Sequence, residues 1–242
     1  MNLAIDRGNT ATKIAVFDHR TLVYQTFIDV CDELQLAVFF EKYPITHVIY
    51  SSVVPTDQAL LDFMVRKATF FVELTHTTKL PISLNYTTPT TLGRDRIAAM
   101  VGAWSLQPNK AAFVIDMGTC ITYDFITAEG VFIGGNIAPG LAMRLKAMHL
   151  FTGNLPETEL QIPSDYLGTS TQQAMLGGAY WGILNEIEGM VAKLKLNYHD
   201  FSTFLTGGTT KYFEKQIKNC TFAEPNLVLI GLNEILIYND IH

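Results

Sequence analysis

The sequence predicts an α/β protein built from two related halves. Short apolar runs alternate with segments of helical periodicity, the pattern of layered α/β structure. Two hairpins of one chemical kind, around Asp6-Arg7-Gly8-Asn9-Thr10 and Asp116-Met117-Gly118-Thr119, each sit between two apolar runs. Each hairpin also opens a run of three strands, followed by helix, strand and helix.

Taken in order, residues 2–6 and 11–18 read as strands around Arg7-Gly8-Asn9-Thr10. Leu22 to Ile28, alternating and rich in β-branched and aromatic residues, completes an antiparallel meander. Asp32 is expected to cap a helix to about Tyr43, with Leu34, Ala37, Val38 and Phe40 as its apolar stripe. His47 to Tyr50 is a short buried strand. Pro55 is expected to open the next helix, where Leu60, Leu61, Met64 and Val65 recur at helical spacing. Phe70 to Leu74 is a strand, and residues 75–92, rich in Thr and Pro, form an ordered loop over a site or interface. Gly93-Arg94-Asp95-Arg96 opens a helix to about Leu106, and the domain boundary is expected at Gln107-Pro108-Asn109-Lys110.

The second half restarts with strands at 112–116, 121–127 and 131–137. Pro139-Gly140 begins a helix to about Leu150, and Thr171 begins a long one to about Lys195. Phe201 to Leu205 is a strand that ends in Thr206-Gly207-Gly208, and Leu227 to Tyr238 is a final helix. The expected domains are therefore residues 1–109 and 110–242.

Composition narrows the function classes. The chain has 242 residues, 48% hydrophobic and 17% charged, which favours a well-buried globular protein. A net charge of −6 without a long basic block argues against nucleic acid as main partner. Cys31, Cys120 and Cys220 lie far apart, which fits reduced thiols and neither a Cys-based zinc site nor a disulfide framework. No signal peptide is expected with a strand starting at residue 3, and no apolar run has membrane-spanning length. A soluble, cytoplasmic protein with no membrane partner is expected. The histidines at 19, 47, 76, 149, 199 and 242 lack metal-ligand spacing and are expected on the surface or in loops. Trp104 and Trp181 are expected to pack on helices.

Three stretches carry candidate chemistry. In Asp6 to Lys13, a glycine after a strand lets backbone approach a ligand, and turn N–H groups can point at phosphate oxygens. Thr10 and Thr12 add hydroxyls, Lys13 adds a point charge for a terminal phosphate, and Asp6 is placed to hold Mg²⁺ through water. The plainer alternative is a hairpin with a Gly-Asn turn and a capping Asp. Asp116 to Thr119 echoes the pattern, and Thr206-Gly207-Gly208 after a strand suits passage beneath a nucleobase or ribose. Gly93-Arg94-Asp95-Arg96 sits at a helix start, where anions are favoured. Its arginines could bind a carboxylate or phosphate, and Asp95 could accept a proton from a hydroxyl. The alternative there is an Asp that stabilises its own helix beside exposed arginines. Neither a Walker P-loop nor a Gly-x-Gly-x-x-Gly fingerprint is present.

The two Asp-x-Gly turns and the Thr-Gly-Gly segment resemble the phosphate 1, phosphate 2 and adenosine segments of the acetate and sugar kinase, heat-shock ATPase and actin superfamily. That resemblance implies two ribonuclease H-like domains. More specifically, Asp6-x-Gly-Asn-Thr-x-x-Lys13, Tyr86-x-x-Pro-x-x-Leu-Gly-x-Asp-Arg96, Asp116-x-Gly-Thr-x-x-Thr-x-Asp124 and Gly134-Gly135-x-Ile-x-Pro-Gly140 resemble, in order, the motifs of type III pantothenate kinase. Leu155-Pro156, Gly168-x-x-Thr171 and Thr206-Gly207-Gly208 continue the series.

The resemblance implies phosphorylation of pantothenate to 4′-phosphopantothenate by ATP, the first step of coenzyme A biosynthesis. It implies that Asp6, Arg7, Gly8, Asn9, Thr10, Ala11, Thr12 and Lys13 bind ATP phosphates and the magnesium shell. Thr119, Thr206, Gly207 and Gly208 would also contact ATP, and Asp116 would ligate a monovalent cation, K⁺ or NH₄⁺. Asp95 would be the catalytic base, and Tyr86, Gly93, Arg94, Asp95, Arg96 and Thr171 would bind pantothenate. Arg7 and Arg94 occupy positions where the family varies, and Arg94 bears on pocket charge. The resemblance further implies a homodimer, residues 1–109 as the phosphate 1 and pantothenate-binding domain, and 110–242 as the phosphate 2 and adenosine-binding domain. The competing readings are an inactive homologue acting as an accessory or regulatory protein, and a different kinase of the superfamily acting on a sugar or acetate.

Overall fold

In a computed structural model that describes residues 1–9, 11–218 and 220–241, the strands form two sheets. In chain order the elements are β1 (Asn2–Arg7), β2 (Thr12–Asp18), β3 (Thr21–Ile28), α1 (Glu33–Lys42), β4 (His47–Ser52), α2 (Gln58–Lys67) and β5 (Phe70–Glu73). After them come β6 (Ser83–Leu84), α3 (Arg94–Leu106), β7 (Ala111–Met117), β8 (Cys120–Ile126) and β9 (Val131–Pro139). The last are α4 (Leu141–Leu150), α5 (Thr171–Lys195), β10 (Phe201–Thr206), β11 (Phe222–Ala223) and α6 (Leu227–Ile241). The chain divides into two compact units. Unit 1 is Met1–Asn109, Ile126–Gly134 and Asn226–His242, and unit 2 is Lys110–Phe125 and Gly135–Pro225.

In unit 1 the sheet order is β3-β2-β1-β4-β5, with β1 antiparallel to β2 and parallel to β4. One face buries Leu3, Ile5, Ile14, Val16, Val48 and Tyr50 with Leu36 and Phe39 of α1 and Leu60, Phe63 and Met64 of α2. Side chains alternate along a strand. The other face therefore carries Asn2, Ala4, Asp6, Lys13, Ile49 and Ser51. On it lies α6, where Asn2 Nδ2 donates to Asn233 Oδ1 at 2.9 Å.

Contact between α3 and α6 is close because each presents a glycine at the crossing. A Cβ on Gly102 would strike the Leu227 carbonyl, and one on Gly231 would strike that of Ala98. Here the structure departs from contiguous halves, since α6 and residues 126–134 belong with the first 109 residues. The physical reason lies in α6 itself: Leu227, Val228, Leu229, Leu232, Ile235 and Leu236 are all buried. A helix apolar on most of its surface needs more than one apolar partner. It finds them in α3 and the first sheet.

Two helix faces also differ from expectation. In α1 the buried residues are Leu36 and Phe39, while Leu34 is 80% and Val38 56% exposed. Asp32 does cap this helix, accepting from Gln35 N at 2.8 Å. Its apolar residues are spread around the axis, so spacing alone left the buried face ambiguous. The second helix begins at Gln58 with Asp57 as its cap, not at Pro55, and it buries Phe63 while Val65 is exposed. Within 75–92, β6 pairs with Val131 and Phe132, and a 3₁₀ turn spans Pro89–Thr91.

The second sheet runs β11-β10-β7-β8-β9-β6. In unit 2, β7 and β10 are parallel, in register from Phe201↔Ala111 to Thr206↔Asp116. Two helices, α4 and α5, precede β10 where the first half has one helix before β4. They are tied by Arg144 and Glu186, whose charged groups meet at 2.5 Å. Ser170 caps α5.

Candidate active site

The β1–β2 hairpin sets Asp6 opposite Lys13 and Arg7 opposite Thr12. Gly8 N–H donates to the Ala11 carbonyl at 3.1 Å and closes the turn. Ser51, on parallel β4, is in register with Asp6. Asp6, Lys13 and Ser51 thus share the sheet face on which α6 packs. Asp6 is buried, as is Ser51, whose Oγ has no hydrogen-bond partner among the described residues.

Alternation sends Arg7 and Thr12 to the other face. There the Thr12 hydroxyl bonds the Cys31 thiol, and Arg7 lines a pocket with Cys31, Asp32 and Asp57. Burial pushes the Cys31 thiol up, against the opposing pull of Arg7 and Thr12. Of the Asp6 to Lys13 stretch, Asp6 and Lys13 present side chains on one face, while Gly8, Asn9 and Ala11 form the turn. Thr10 lies outside the described residues.

The start of α3 is pinned to the same end of the sheet. Arg94 Nη1 donates to the Ser52 carbonyl at 3.0 Å and lies 3.9 Å from Glu73 Oε1. Ser52 is the register partner of Arg7, so this bond anchors the helix beside the β1 terminus. Glu73 offsets the Arg94 charge. Neither Ser52 nor Glu73 was singled out from sequence; two serines closing the apolar strand His47 to Tyr50 were the available signal.

Asp95 Oδ1 accepts from Arg96 N–H at 2.9 Å. Gly93 makes room for that carboxylate, since a Cβ there would lie 2.5 Å from Asp95 Oδ1. Gly93→Ala is therefore expected to swing the carboxylate away with an unchanged melting temperature. A crystal structure of the variant beside a thermal melt checks this.

Arg96 is buried with its guanidinium carbon 5.8 Å from the ring centroids of both Tyr86 and Phe132. Such a site favours a cation over aromatic faces and keeps a guanidinium fixed in orientation. The structure thus brings the expected Tyr86 and Arg96 together and adds Phe132, which sequence reasoning missed.

In unit 2, Asp116 lies near the end of β7 with Thr206 beside it on β10. The Thr206 side chain is buried, and its Oγ1 has no hydrogen-bond partner among the described residues. Gly207 adopts φ +97° and lies against Asp116. Thr209 ties this loop to β7, its hydroxyl donating to the Met117 carbonyl at 2.7 Å and its N–H at 3.0 Å. Thr119 is exposed in the turn that Gly118 N–H closes onto the Cys120 carbonyl at 3.0 Å. Thr171 is the first residue of α5 and exposed. Asp6, Lys13, Tyr86 and Gly93 to Arg96 accordingly gather in unit 1, and Asp116, Thr119, Thr171 and Thr206 to Gly208 belong to unit 2.

The histidines contribute elsewhere. His47 lies on β4, 3.4 Å from Asp240, and His149 on α4 bonds the Leu155 carbonyl. Cys120 begins β8 and is half-buried, and His242 lies outside the described residues.

Known proteins share this architecture. A crystal structure from Campylobacter jejuni, described as a Baf family transcriptional activator, superposes with a TM-score of 0.64 at 20% identity, covering 99% of this chain and 100% of that one. A protein described as a sugar kinase, from Cytophaga hutchinsonii, gives 0.55 at 13% identity, covering 98% and 99%. The α/β fold with two sheets is thus shared with these proteins. In sequence, the chain is 41% identical over 241 residues to the type III pantothenate kinase of Phocaeicola vulgatus, covering 99% of each chain. The family model for type III pantothenate kinase matches residues 2–193. With that match and a similarity over 99% of its length, the chain belongs to the type III pantothenate kinase family.

Proposed function

We propose that the protein transfers the γ-phosphoryl group of ATP to the primary hydroxyl of pantothenate, giving ADP and 4′-phosphopantothenate on the route to coenzyme A. The observation that carries this is the joining of two features in unit 1. A hairpin with Asp6 facing Lys13 stands at the sheet end to which Arg94 anchors the helix bearing Asp95.

In-line phosphoryl transfer asks the protein for positioning and charge neutralisation more than for covalent chemistry. Lys13 and the turn N–H groups of Asn9 and Ala11 bind the phosphates, while Gly8 N–H holds the turn closed. Asp95 takes the proton of the acceptor hydroxyl on the oxygen not engaged by Arg96 N–H. Tyr86, Gly93, Arg96 and Thr171 bind pantothenate, and the buried Arg96 is suited to its carboxylate. Thr119, Thr206, Gly207 and Gly208 hold the nucleotide.

The residues present fit two cations. Magnesium takes few protein ligands and keeps several waters, which suits the Asp6 carboxylate beside the buried Ser51 hydroxyl. Potassium or ammonium suits Asp116 beside the buried Thr206 hydroxyl. When bound, these cations supply neutralisation of phosphate charge.

The protein acts as a cytoplasmic homodimer in this reading. Among the described residues no helix is long and apolar enough to cross a membrane. Ile137, Leu150, Phe151, Tyr166 and Leu167 of unit 2 are exposed, an apolar surface that a second copy would cover.

A coupled ADP-release assay tests the activity. Turnover is expected with pantothenate and not with a panel of sugars and small alcohols, and potassium should support it better than sodium. No turnover at saturating ATP, magnesium and potassium would leave the accessory-protein reading in its place.

A further inference from the structure

Both units repeat an arrangement that lies partly outside the shared Asp-x-Gly turns. Asp6 is the last residue but one of β1, and its register partner on the parallel neighbour β4 is Ser51. Asp116 is likewise the last residue but one of β7, and its register partner on the parallel neighbour β10 is Thr206. Ser51 and Thr206 are each 0% exposed, and neither hydroxyl meets a hydrogen-bond partner among the described residues.

A buried hydroxyl without a partner opposes folding. Here the opposition occurs twice at one topological position, one strand over from a carboxylate. Register partners project their side chains to the same face of a sheet. Each hydroxyl therefore lies on the face its carboxylate uses. In unit 2 the neighbouring backbone narrows the geometry further, because a Cβ on Gly207 would lie 2.5 Å from Asp116 Oδ1. A further buried hydroxyl, that of Tyr123 inside β8, differs in having Arg144 and Glu186 around it.

We propose that Ser51 and Thr206 are positioning residues, whose hydroxyls hold the cation-facing carboxylates Asp6 and Asp116 in place once nucleotide and cations bind. The inference rests on the function proposed above and adds two residues to it. The Ser51 hydroxyl donates to the Asp6 carboxylate, or to a water that carboxylate shares, and still accepts from a water on a divalent cation. The Thr206 hydroxyl stands in the same register relation to Asp116, the carboxylate assigned above to the monovalent cation. The two hydroxyls therefore serve different cations.

The test compares Ser51→Ala and Thr206→Val with the hydroxyl-retaining Ser51→Thr and Thr206→Ser. Binding of Mn²⁺ with ADP is read by electron paramagnetic resonance, and binding of Tl⁺, a stand-in for potassium, by thallium resonance in the presence of ADP. Ser51→Ala is expected to weaken Mn²⁺ about tenfold or more and to leave Tl⁺ within about twofold. Thr206→Val is expected to do the reverse. The hydroxyl-retaining variants should bind as the parent does. Ligand-free melting temperatures of Ser51→Ala and Thr206→Val should not fall, since each loses an unpartnered buried hydroxyl.

Parent-like cation binding in Ser51→Ala and Thr206→Val would overturn the proposal. So would equal weakening of both cations with a lowered melting temperature, the mark of a merely structural role. Neither readout contains pantothenate. A parent chain that binds Mn²⁺ and ADP but does not phosphorylate pantothenate would overturn the substrate assignment and leave this result standing. A parent chain that binds no Mn²⁺ with ADP would overturn both.

Discussion

Asp95→Asn is expected to keep ATP binding and lose turnover by about 10²- to 10⁴-fold. The substitution is nearly isosteric, and the amide oxygen can still accept from Arg96 N–H, the bond that holds the side chain at the start of α3. The Arg94 anchor to the Ser52 carbonyl does not involve Asp95 and should persist. What changes is the second side-chain position, which becomes an amide nitrogen that cannot take a proton. The loss should therefore fall on kcat, with little change in melting temperature or in ATP affinity measured by calorimetry. Normal turnover in this variant would show that the acceptor proton leaves by another route. A fall in melting temperature of more than a few degrees would instead mark Asp95 as a structural cap.

What the sequence made legible is the local part of this arrangement. The Asp6 and Asp116 hairpins could be read because a glycine turn between apolar strands is a short-range signal. The start of the helix at Arg94 and the cap at Asp32 were legible for the same reason. Non-local partners were not. Nothing near Asp6 in sequence announces Ser51, because the pairing arises only when β4 lies parallel to β1. Glu73 and Ser52 meet Arg94 from strands that end well before α3 begins. The placement of α6 was hidden likewise: its almost uniformly apolar surface has no phase that names a partner, and only the glycines at 102 and 231 hint at a close crossing. Period-2 alternation could have separated Arg7 and Thr12 from Asp6 and Lys13. Their motif drew all four together as one phosphate-binding stretch, and the pleat divides their side chains between two faces.

Gly207→Ala is expected to destabilise the protein by about 2–4 kcal/mol, from a disfavoured backbone conformation together with a steric clash. At φ +97° the backbone of Gly207 is one that L side chains rarely adopt. The new Cβ would also stand 2.5 Å from Asp116 Oδ1 and 2.6 Å from the backbone of Met117. Relief requires the loop to lift from β7, which breaks the bonds from Thr209 to the Met117 carbonyl. It also requires Asp116 to turn away from the position its proposed cation needs. Thermal melts should show a drop of roughly 5–15 °C, and Tl⁺ binding should weaken in parallel. Gly208→Ala supplies the control for stability, since a Cβ on Gly208 meets nothing within 4 Å. That variant should melt with the parent. Equal losses at 207 and 208 would mean that the loop tolerates no side chain at all, and the specific packing of Gly207 on Asp116 would no longer explain the effect.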